Sequence, residues 1–205
     1  MPTLSLSLLL ACGPDMAPQD TGDLPADLAP LLKNTADYPA DQAETLNLEL
    51  GEESDYDWVH GKGYLHADLQ SSWAAMQEPL VLLDRRKVSE WSVEWDTRPQ
   101  YAVSHTTHNV VPDIVTIEFD MDWWQDEVSD GRVAGRYEKT EGTPFITSMA
   151  GGFLLIPISE EITAIEIIGT LDAAQRGPEP VAEYWTDVYA DAVATVHGED
   201  LPELD

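Results

Sequence analysis

Between Trp58 and Val196 the chain carries a series of period-two apolar patterns that ends in one period-3.6 stripe. Trp58, Val59, Tyr64 and Leu65, set around Gly61 and Gly63, predict a first strand kinked at its glycines. Asp68 is placed to cap a helix in which Leu69, Ser72, Trp73 and Met76 fall at i, i+3, i+4 and i+7. Pro79 stops that helix, and Leu80 to Leu83 add a short turn. Trp91, Val93 and Trp95 then alternate with Ser92 and Glu94, and Tyr101, Val103 and His105 continue the pattern after Arg98-Pro99. Val115, Ile117, Phe119, Met121 and Trp123 alternate with Thr116, Glu118, Asp120 and Asp122, which predicts a strand with one dry and one wet face.

A turn at Ser129-Asp130-Gly131 leads into a strand over 132–139, followed by strands over 145–158, bent at Gly151-Gly152, and 162–171. After Gly177-Pro178-Glu179-Pro180, the spacing of Val181, Tyr184, Trp185, Val188, Tyr189, Ala192 and Val196 predicts an amphipathic helix. Glu183, Asp187 and Asp191 form an acidic ridge elsewhere on its surface, and Gly198 lies just past its end. Periodicity alone thus gives an α+β domain.

The N-terminal quarter reads differently. Leu4, Leu6, Leu8, Leu9 and Leu10 make a short apolar run that ends in Ala11-Cys12, which resembles a bacterial lipobox. That resemblance implies a signal peptide over 1–12, acylation of Cys12, and a lipid anchor rather than a membrane span. From 13 to 55, prolines recur among aspartates, predicting an extended acidic tether in which Asp27–Lys33 could form a helical turn docked on the domain. The folded domain is expected over 56–198, with an acidic tail over 199–205.

Charge narrows the partners. The 205 residues hold 39 acidic and 10 basic side chains, a net charge of -29, which argues against nucleic acid because phosphate contacts need Lys and Arg. One cysteine excludes an internal disulfide. His105 and His108, three apart on a strand, point to opposite faces and do not form a chelating pair. Carboxylate pairs such as Asp120 with Asp122 and Glu160-Glu161 lack calcium-loop spacing, and no phosphate loop or nucleophile elbow is present. No metal or cofactor is expected. Arg85-Arg86-Lys87, the one basic cluster, reads as a solvated helix end. Trp123-Trp124 is expected to divide between the inner face and an exposed edge.

A strand, the stretch His66 to Pro79 with its bulky Trp73, six further strands and a last helix resemble the START-related, polyketide-cyclase-type (SRPBCC) superfamily. The resemblance implies a helix-grip fold: a curved antiparallel sheet of about seven strands wrapped around a long C-terminal helix, with two short helices after the first strand. It also implies an apolar cavity between sheet and helix. The expected lining is Trp91, Val93, Trp95, Tyr101, Val103, His105, Val115, Ile117, Phe119, Met121, Met149, Phe153, Tyr184 and Val188, with His105 as a polar tip. The function expected is non-catalytic binding of a small hydrophobic molecule or lipid by a protein anchored in the bacterial cell envelope, on its periplasmic or outer-surface face. Two alternatives stay open: a cyclase or hydrolase on the same fold, using His105 or a buried carboxylate, and a structural or interaction lipoprotein with a filled core.

Overall fold

The computed structural model describes residue 28 and residues 34–128, 131–174 and 177–204. Cys12 with its apolar run, most of the 27–33 segment, and Ser129-Asp130 lie outside the described residues. Among those described, eight strands form one antiparallel sheet with three α-helices. The strands are β1 (Leu46–Glu52), β2 (Asp57–Leu65), β3 (Glu90–Trp95), β4 (Val103–Val111), β5 (Ile117–Val128), β6 (Arg132–Gly142), β7 (Ile146–Pro157) and β8 (Thr163–Ala173). The helices are α1 (Leu69–Ala75), α2 (Pro79–Leu82) and α3 (Glu179–Val196). Spatial order runs β1-β2-β8-β7-β6-β5-β4-β3, so the first expected strand pairs with the last, and α3 packs on β1, β2 and β8 of an open sheet. This is the helix-grip arrangement.

Local chemistry explains the early elements. The Asp68 carboxylate accepts from the Ser71 backbone N–H at 2.9 Å, capping α1, and Pro79 opens α2 where its missing N–H is harmless. Gln125 on β5 ties α1 to the sheet: it accepts from the Trp73 indole at 2.9 Å and donates to the Met76 carbonyl at 2.6 Å.

Glycines set the distance between sheet and helix. A Cβ on Gly169 would stand 2.6 Å from the Trp185 Nε1 atom and 2.9 Å from Val181 Cγ1, both on α3. Its absence lets α3 sit directly on the backbone of β8. β7 is one continuous strand through Gly151-Gly152, and these glycines admit close neighbours: a Cβ on Gly151 would stand 2.7 Å from the Tyr137 hydroxyl. The same holds for Gly61 and Gly63 in the unbroken β2, over which Leu48 and Leu46 lie.

The tether expected over 13–55 ends earlier than its composition suggests. Leu46–Glu52 is an edge strand, its Leu46 and Leu48 packed on the core. Upstream of it the chain crosses the outer face of the sheet. Leu28 packs with Trp124, Ala134 and Leu154, so Trp124 is covered and not at an exposed edge. The Asn34 amide donates to the carbonyls of Gly61 and Ile167 at 2.7 and 3.1 Å. The Tyr38 hydroxyl donates to Glu166 at 2.9 Å.

The basic cluster is not a solvated end either. Arg85 bonds Asp191 at 2.8 and 2.5 Å, Arg86 bonds Asp187 at 2.5 and 3.0 Å, and Lys87 reaches Glu183 at 3.3 Å. Three consecutive bases thus meet three acids spaced four apart on α3, and Asp191 and Asp187 are buried. Removing one partner of a buried pair strands a charge, whereas an exposed pair contributes little. Arg85→Ala is expected to destabilise the fold by about 3 kcal/mol and Lys87→Ala by less than about 1 kcal/mol, compared by urea unfolding at neutral pH. Equal losses would show that burial of Asp191 is not what gives the ladder its strength.

Candidate functional site

The inner face of β3, β4 and β5 is built in rungs. Residues paired across an antiparallel ladder share a face, and the register aligns Trp95 with His105 and His105 with Trp123. Two further rungs are Val93–Thr107–Met121 and Trp91–Asn109–Phe119. Each places a polar residue of β4 between apolar residues of its neighbours.

The first rung continues as a line of rings towards α3. Ring centroids lie 4.8 Å apart for Trp95 and His105, 6.2 Å for His105 and Trp123, and 4.7 Å for Trp123 and Tyr137. Tyr137 then meets Trp185 at 6.0 Å, and Trp185 meets Tyr184 at 5.4 Å. His105 and Trp123 are nearly parallel, at 10°. Tyr184 closes this line by donating its hydroxyl to the Leu82 carbonyl at 2.9 Å, which links α3 to α2.

Within this frame His105 is 0% exposed, and neither of its ring nitrogens has a hydrogen-bond partner. Its neighbours along the strand are committed: the Asn109 amide donates to Thr107 Oγ1 at 3.0 Å and to the carbonyls of Thr107 and Phe119. His108 points to the other face and bonds Asp120 at 2.6 Å.

The expected lining residues fall into three groups. Phe119, Met121, Phe153 and Val188 are buried in the main core, with Val103, Ile117, Met149 and Tyr184 partly buried against it. Trp91 and Trp95 share the inner face but remain 38% and 49% exposed at the sheet edge. Tyr101 is a correction. It precedes β4, and the bend before Val103 breaks its parity with His105, so it packs on Trp124 at the outer face. Val115 is also displaced, exposed in the loop before β5. Thr107, Asn109, Trp123 and Gln125 escaped the expected lining, although extending the alternation of His105 and Met121 by two or four positions reaches them.

Neither a protein-family model nor a curated protein sequence matches the chain. Solved structures do. The chain is similar to human StAR-related lipid transfer protein 5, at 13% identity over 76% of this chain and 84% of that one, with a TM-score of 0.55. It is also similar to the lipid transfer and protein localization domain of human StarD13, at 12% identity, 75% and 83% coverage and a TM-score of 0.51. A third is a STAR-related lipid transfer protein fragment from Xanthomonas axonopodis, at 10% identity, 78% and 95% coverage and a TM-score of 0.50. At such identities the likeness shows the fold, which is START-like.

Burial pushes His105 down from 6.5 to about 4, and His60, buried on the outer face, likewise to about 4. Both are neutral in the folded chain, while the unfolded chain takes up protons first as pH falls. Their contribution to stability is therefore complete above pH ~6.5 and is lost as pH drops towards about 4, by roughly 3 kcal/mol for each histidine. Urea unfolding from pH 7 to 4.5 is expected to show this fall, and His105→Phe to remove about half of it. A stability independent of pH across that window would contradict the burial of both rings.

Proposed function

We propose that the chain binds a small hydrophobic molecule between the inner face of β3–β5 and the side of the fold formed by α2 and α3, without catalysing a reaction on it. The observation that carries this reading is the accessibility of Trp91 and Trp95 on the inner face. α3 lies over β1, β2 and β8, so the apolar surface of β3 projects beyond the helix. Covering an open indole with an apolar ligand is favourable in proportion to the area removed from water. At the end of the sheet nearest Trp91, the loop residues Ile114, Val115 and Phe145 are also exposed, a setting suited to taking up an apolar guest. Two of the structural neighbours are named lipid transfer proteins, which favours a lipid or lipid-like occupant.

The proposal extends to location. The run Leu8 to Cys12 supports acylation of Cys12 and placement in the bacterial cell envelope. Leu28 is seated on the outer face of the sheet, and the sixteen residues from Cys12 to Leu28 reach at most about 55 Å. The domain would then work within a short distance of its membrane.

A second reading has its own observation: Trp123, Tyr137 and Trp185 are fully buried and fill much of the inner face. That favours a structural or interaction lipoprotein with a closed core. Native mass spectrometry of the full chain, before and after incubation with a mixed lipid extract, separates the two. One non-covalent adduct of lipid mass is expected; a bare mass under both conditions would reject the binding reading and favour the second. For the anchor, Cys12→Ser is expected to move the protein from the membrane to the soluble fraction of a bacterial host. Retention in the membrane fraction would exclude Cys12 as the point of attachment.

A further inference from the structure

We propose that His105 recognises the ligand's polar group, and that the ligand is a neutral apolar molecule bearing a hydroxyl or carbonyl oxygen. The inference rests on the binding reading above and narrows it to a chemical class.

Three observations converge on His105. A buried polar atom without a partner is destabilising, and His105 has two such atoms where Phe or Leu would fill the same space without that cost. The other polar groups on the inner face of β3–β5 are engaged within the fold: Asn109 donates to Thr107 and Phe119, and Gln125 bridges Trp73 and Met76. The Ser72 hydroxyl and the Trp185 indole nitrogen also lack partners, but both belong to the helices. On these three strands His105 is the inner-face side chain whose bonding capacity the fold leaves unused.

Access to it is controlled by one residue. On one side the ring stacks against the buried Trp123, which belongs to the core. On the other it is covered by Trp95, half-exposed on an edge strand whose neighbours are exposed on both faces. Entry of the ligand requires Trp95, 49% exposed, to turn outward, while Trp123, 1% exposed, stays in the core.

The chemistry of the ring then selects the guest. A neutral imidazole offers one donor and one acceptor, which a hydroxyl matches on both counts and a carbonyl on one. A carboxylate or ammonium group would have to shed its hydration beside indoles that return little of it. Burial keeps the imidazole neutral at pH 7, which agrees with this selection.

The test uses the full chain with three probes that share one ring system: 2-naphthol, naphthalene and 2-naphthoate. Calorimetry is expected to find 2-naphthol bound about 10-fold more tightly than naphthalene, the worth of one buried hydrogen bond, with 2-naphthoate weakest. His105→Phe, which keeps a flat ring against Trp123, is expected to reduce the 2-naphthol preference to within about two-fold. Imidazole ¹⁵N shifts of the wild-type chain give a readout that needs no variant: His105 should respond to 2-naphthol and not to naphthalene. Equal affinities with no His105 response would overturn this inference and leave the binding reading standing. Failure of all three probes to bind would overturn the binding reading and this inference with it.

Discussion

The close seat of α3 on the sheet is the constraint from which the rest of the structure follows. Gly151 and Gly169 lie on the same rung as Trp95, His105, Trp123 and Tyr137. Where that rung crosses β8 under the helix its side chain is reduced to hydrogen, and Trp185 fills the vacated volume. Where it leaves the helix the side chains become rings. The helix is drawn tight against one half of the inner face, and the other half must be covered by its own aromatics or by something else. Interiors are packed without gaps, so a Cβ at Gly169 would have to displace Trp185 or lift α3.

Part of the sheet is buried on its outer side as well. Leu28, Asn34 and Ala36 cover Trp124, Ala134, Leu154 and the β2–β8 carbonyls, so a segment rich in proline and acid becomes part of the fold. A sheet covered on both faces loses clean polar alternation, as the Thr163-Ala164-Ile165 and Ile167-Ile168 stretches of β8 show. Charge is organised to the same end. In a chain of net charge -29, three of the ten bases are used to hold three carboxylates of α3 against the α2–β3 connection. Without them the acidic ridge of α3 would repel itself and two buried carboxylates would lack partners.

Element order was legible because it rests on periodicity and caps: Asp68, Pro79 and the alternation from Ile117 to Trp123 each act locally. The faces of the sheet were legible for the same reason, except at Tyr101, where a bend between Arg98 and Val103 resets parity, and at Val115, which lies in the loop before β5. What escaped reading depends on contacts distant in sequence. The alternation of Leu46, Leu48 and Leu50 is a strand signal, but it lies inside an acidic, proline-bearing segment whose composition points to an unpacked chain. The pairing of Arg85, Arg86 and Lys87 with Glu183, Asp187 and Asp191 spans about a hundred residues, and sequence shows the two charge runs without showing that they meet. The close neighbours of the glycines were not legible, because composition does not show what a glycine faces across the sheet.

Two buried histidines show how such contacts divide structural from ligand-directed roles. His60 and His105 are both held neutral by burial, and both lie against an indole, Trp58 at 4.4 Å and Trp95 at 4.8 Å. His60, however, accepts at Nδ1 from the Thr35 backbone N–H, at 3.3 Å, and so fastens the N-terminal segment to the outer face. Its Nδ1 is thus compensated within the chain, while its Nε2 has no partner. His105 has no such compensation, and the indole above it belongs to the exposed edge strand. A fold that needed only a ring at position 105 would be more stable with Phe there. The imidazole makes physical sense if the missing hydrogen bond is supplied from outside the chain, through the side of the sheet that α3 leaves uncovered.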